Sequence, residues 1–99
     1  MKVENIINNN GNAARNQFVI KSDCRVWFQS YDSVVAMWNR EERRLYVTPL
    51  WDYSNTTRKH FYIFLDDYTS ICPNEGRKGI LKMIEEGTIK MVADGELDF

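Results

Sequence analysis

The sequence predicts an α+β domain: an antiparallel four- to five-stranded meander sheet with two helices packed on one face. Three observations lead there. Residues 17–21 and 24–29 alternate with a period of two, and 34–38 and 43–48 follow as further short apolar-rich runs separated by polar turns. Beyond Pro49 the apolar spacing changes to three and four, first in residues 57–68 and again in 77–87. The chain has 99 residues, 43% of them hydrophobic and 13% aromatic, which suits one domain with one core.

Each element has its own signature. Residues 1–16 contain six asparagines and an Asn-Gly pair at 10 and 11, so they read as a mobile lead-in or a short packed helix. In QFVIK (17–21), Phe18 and Ile20 point one way and Gln17, Val19 and Lys21 the other. Ser22 and Asp23 supply a turn, and CRVWFQ (24–29) alternates again, so the two runs form a hairpin. Residues 30–33 are a corner or bulge, 34–38 a third strand, 39–42 a polar turn and 43–48 a fourth strand. Pro49 ends the ladder because it has no N–H to donate. In the first helix Phe61, Phe64, Leu65 and Tyr68 make one stripe, with Ser54 or Asn55 as N-cap. A loop at 71–76 leads to a second helix whose inner face is Ile80, Met83 and Ile84, closed by Gly87. TIKMV (88–92) is a further strand. The domain thus spans 17–92, and 93–99 is an acidic tail expected to fray.

Composition narrows the function classes. A formal charge of −1 gives no overall attraction to nucleic acid or an anionic membrane. Cys24 and Cys72 match no metal or redox spacing and read as reduced thiols. No apolar run approaches a membrane span, and the first residues lack the apolar core of a secretory signal, so a cytosolic protein is expected. His60 is the one histidine, so no histidine-based metal site is expected. No serine or cysteine has a base and orienting group at a telling spacing. Asp66 and Asp67 are adjacent on a helix, about 100° apart, and read as solvated residues. No glycine-rich loop follows a strand. No enzyme, no metal and no cofactor are therefore expected. Asn55-Thr56-Thr57 matches a glycosylation sequon, but the capping reading wins.

Two features point to binding. The first helix carries its charges in reverse: Arg58, Lys59 and His60 open it, Asp66 and Asp67 close it, and a helix dipole favours the opposite order. With Trp51 and Tyr53 just ahead, this start forms a small electropositive site suited to phosphate, nucleotide or a carboxylate-rich protein surface. Alternatively Glu41, Glu42 or the acidic tail neutralises it within the fold. The second feature is Trp27, which lies opposite Val26 and Phe28 on its strand. It is either an exposed hot spot or is covered by a loop or the N-terminal segment. Residues 43–48, read as an edge strand, also offer a way for a second copy to pair into a homodimer.

The segments ARNQFVI, FQSYDSVVA and WDYSNTTRKHFYIFL, followed by a lysine-rich helix ending at a glycine, resemble a group of short uncharacterised proteins encoded by tailed bacteriophages and prophages. The resemblance runs from about Ala14 to Lys90 and is most specific at 51–57. It implies a phage product made in the host cytoplasm. By analogy with other small phage proteins, it implies a non-enzymatic accessory protein that binds and blocks a host protein, such as a CRISPR nuclease or other defence system. A nucleic-acid or nucleotide-binding module using residues 58–60 is the alternative, and a role in virion assembly is a further one.

Overall fold

The computed structural model describes residues 2–73 and 75–97. Its elements are β1 (Lys2–Ile7), β2 (Ala13–Lys21), β3 (Arg25–Ser30), β4 (Ser33–Asn39), β5 (Arg44–Val47), a single 3-10 turn (Pro49–Asp52), α1 (Asn55–Tyr68), α2 (Gly76–Glu86) and β6 (Ile89–Met91). They form one six-stranded sheet in the order β1-β2-β3-β4-β5-β6. Neighbours are antiparallel except β5 and β6, which run parallel with Leu45 opposite Ile89. A parallel pair needs a long crossover, and here the two helices are that crossover. The α+β class and the two helices match the expectation. The four- to five-stranded meander does not: there is a sixth strand, and the last step is a crossover rather than a hairpin.

The sixth strand comes from the Asn-rich start. KVENII pairs with β2, and Ile6 is buried on the helix-covered face. The asparagines that suggested a lead-in build a hairpin loop. The Asn8 side-chain oxygen accepts from the backbone N–H groups of Asn10 and Asn12, both at 3.0 Å, and Gly11 supplies the positive φ. Met1 lies outside the described residues, as do Asn74 of the 71–76 loop and Asp98 and Phe99 of the tail.

The β2–β3 hairpin forms as its alternation predicts, with Val19 opposite Phe28 and Ile20 opposite Trp27. Asn16 adopts φ +61°, a conformation asparagine tolerates better than most residues. Ala14 and Gln17, three apart, are both buried on either side of it.

The two helices cover one face. Phe61, Phe64 and Leu65 of α1 and Ile80 of α2 share a core with Val19, Phe28, Leu45 and Ile89. The rings of Phe28 and Phe64 stack at 5.6 Å. The other face carries a smaller cluster of Ile20, Trp27, Val34 and Leu97. Trp27 is only 7% exposed, so it is not an exposed hot spot. Trp27 is instead covered. It belongs to the cluster that Leu97 of the acidic tail completes, where residues 94–97 form a turn. Residues 43–48 are not an edge either, because β5 lies between β4 and β6. The edges are β1 and β6. Among the described residues, no helix is long and apolar enough to cross a membrane. Both cysteines are free.

Candidate functional site

The site begins where the chain leaves the sheet. Thr48 caps the 3-10 turn by accepting from the Leu50 N–H at 3.2 Å, and Pro49 fits its first position. The turn aims its side chains differently. Trp51 is 2% exposed and packs against Phe61 at 5.7 Å, inside the core rather than at a binding surface. Asp52 is half-buried, and Tyr53 is 78% exposed. Ser54 then caps α1, accepting from the Thr57 N–H at 3.1 Å.

The reversed charges resolve at Asp52. One carboxylate oxygen bonds Arg58, whose guanidinium also reaches Asn55, and the other bonds Arg77 of α2 at 2.8 Å. Asp52 therefore supplies the negative charge that the helix start favours and ties α1 to α2. Burial pushes its carboxyl pKa up, but the bonds from Arg58 and Arg77 outweigh that, and the pKa is lowered overall. Neutralisation within the fold was expected from Glu41, Glu42 or the tail. Glu41 instead accepts from the Cys24 thiol and Glu42 from the Tyr46 hydroxyl. Lys59 is exposed. His60 turns inward, and its Nδ1–H donates to the Thr56 carbonyl at 2.7 Å. Of the residues singled out in the sequence, Tyr53 and Lys59 are therefore exposed, Arg58 is engaged, and Trp27, Trp51 and His60 are buried. They do not form one surface.

A different surface lies beside α1. A cleft of about 370 Å³ opens between the β3–β4 corner and the 3-10 turn. Val35 and Leu50 give it apolar lining, and Ser30, Ser33 and Thr57 line it with hydroxyls. Ser54 donates to the Thr57 hydroxyl at 3.2 Å, which lies 3.0 Å from that of Ser30. Tyr31, Asp32 and Tyr53 complete the lining. Tyr31 is 52% exposed and sits at φ +55°, an outlier for a bulky residue. Two bonds hold it there: its N–H donates to the Asn16 carbonyl at 2.7 Å, and its carbonyl accepts from the Gln29 amide at 2.8 Å.

Tyr53 is the one residue common to this cleft and the sequence-derived set. In the sequence Ser30 and Tyr31 read as corner residues and Thr57 as a cap residue, each within a segment that carries the resemblance. Their convergence depends on β3 passing under α1, which no local pattern encodes. The three segments quoted for the resemblance meet here: Gln17 stands opposite Ser30, Ser30 bonds Thr57, and Tyr31 and Tyr53 share the cleft. Among the described residues, no group of three or more His, Cys, Asp or Glu is placed to hold a metal ion.

The chain belongs to a family of unknown function, DUF8033, whose model matches residues 1–80, a span that includes every residue lining the cleft. No curated protein and no solved structure matches the chain.

Proposed function

We propose that this member of the DUF8033 family is a non-enzymatic binding protein that recognises a host protein through the cleft between Tyr31 and Tyr53. The observation that carries this reading is the pair of exposed tyrosines over a concavity with apolar and hydroxyl lining. Tyrosine gives large contact area at low entropic cost and is enriched where partners bind. The turn that presents Tyr31 is already fixed, so little order is lost on binding. The phage or prophage origin, action in the host cytoplasm and inhibition of a host defence system such as a CRISPR nuclease rest on the resemblance of the NQF, FQSY and WDYS segments.

The alternative is a nucleic-acid or nucleotide binder using residues 58–60. Arg58 is engaged by Asp52, which leaves Lys59 as the exposed cation of that set. A nucleic-acid surface ordinarily spreads its basic residues along a stripe.

The test is a pull-down of the tagged chain from host lysate, with and without nuclease, repeated with the Tyr31→Ala/Tyr53→Ala variant. The expected result is one dominant protein that survives nuclease and is lost with the double variant, whose circular dichroism stays that of the parent. Capture that survives both substitutions removes the cleft from consideration. Capture abolished by nuclease moves the reading to nucleic acid.

A further inference from the structure

We infer that the cleft takes a cationic side chain, the guanidinium of an arginine in the partner segment. This rests on the reading of the cleft as the contact surface and goes beyond it by naming what enters.

Charge is the first ground. Among the described residues that line the cleft, Asp32 is the one that is charged. It is exposed at the β3–β4 corner, and among the described residues no ion pair or side-chain hydrogen bond engages its carboxylate. The nearby helix start, which would otherwise favour an anion, already has Asp52 as its negative group and Arg58 bound to it. An incoming anion would meet Asp32 and no free lining cation.

Shape and surface chemistry give the second ground. Two tyrosine rings border the cleft, and aromatic faces attract cations. A guanidinium is planar, is more weakly hydrated than an ammonium and stacks on such faces. Its fork of donors matches a carboxylate together with a hydroxyl acceptor, which here are Asp32 and Ser33. Lysine would satisfy the charge but not the stacking or the fork. Val35 and Leu50 would receive the aliphatic stem.

The experiment is a ¹H–¹⁵N NMR titration of the full chain with N-acetyl-arginine N-methylamide and with its citrulline counterpart, a neutral near-isostere. The expected result is that the arginine compound shifts the amide signals around Tyr31, Asp32, Ser33 and Tyr53. Citrulline should bind about tenfold more weakly or not at all, and Asp32→Asn should weaken the arginine compound by a similar factor. Absence of shifts at these positions, equal binding of citrulline, or no effect of Asp32→Asn overturns the inference. The pull-down separates the two readings. Capture lost in Tyr31→Ala/Tyr53→Ala but intact in Asp32→Asn sinks the cation and leaves the cleft. Capture intact in both sinks both.

Discussion

Gln17 is wholly buried, and neither its amide nitrogen nor its amide oxygen has a hydrogen-bond partner. It stands opposite Ser30 in the β2–β3 ladder, so both side chains lie on the same face of the sheet. Ser30 is satisfied there through Thr57, and Gln17 is not. A buried polar group left unpaired costs about 1–3 kcal/mol, whereas an apolar group of the same shape costs nothing of the kind. Gln17→Met keeps length and flexibility and removes both polar atoms. It should stabilise the fold by about 1 kcal/mol or more in urea denaturation at constant m-value. Destabilisation would show that the amide is hydrogen-bonded in solution. The neighbouring Tyr31 is the opposite kind of residue. Its left-handed backbone is strained, but two hydrogen bonds fix it and the ring reaches solvent.

At the scale of elements, Asp52 decides how the helices sit. It lies on the 3-10 turn, and its two oxygens hold Arg58 of α1 and Arg77 of α2. Its carboxyl pKa is lowered in the folded protein, burial being outweighed by the two arginines. A lowered acid contributes stability that is complete above its unfolded value, about pH 4, and is lost as pH falls through the folded value. Asp52→Asn should therefore cost roughly 1 kcal/mol at pH 7, a figure kept small because Arg77 is largely exposed. The gap between variant and parent should close as unfolding is measured at successively lower pH below about 4. A gap that persists unchanged in acid would assign the effect to packing. The charge inversion that raised the question was plain in the sequence, and its resolution was one residue inside the quoted stretch. The local pattern points only to Glu41, Glu42 and the tail as counter-charges, because the Asp52 carboxylate meets Arg58 and Arg77 through the 3-10 turn and the packing of α2. Local periodicity made β2 to β5, α1 and α2 legible. It could not reveal β1, where only Ile6 of the strand joins the core, nor the parallel pairing of β6 with β5. Nor could it reveal the cleft, which joins a corner, a turn and a helix start through tertiary packing.

On the scale of the whole molecule, the sheet divides two unequal cores. The helix side holds the larger one, while the other side holds Ile20, Trp27 and Val34, with Met37 and Tyr46 packed against them. The segment after β6 supplies the remaining apolar residues of that cluster. The Val92 N–H continues the ladder to the Val47 carbonyl at 2.8 Å, and Leu97 is 8% exposed. The parallel direction of β6 thus sets where the tail emerges. It explains why a segment that reads as acidic and frayed contributes a buried leucine. Leu97→Asp places a carboxylate in this cluster. The expected outcome is a loss of about 1–3 kcal/mol in urea denaturation. All three tryptophans are buried in the parent, so partial exposure of Trp27 should also red-shift the folded-state emission. Trp27→Phe in the same background should abolish that shift, since Trp38 and Trp51 belong to the helix-side core. If Leu97→Asp changes neither stability nor emission, Trp27 is kept dry by its sheet neighbours alone and the tail plays no part in the second core.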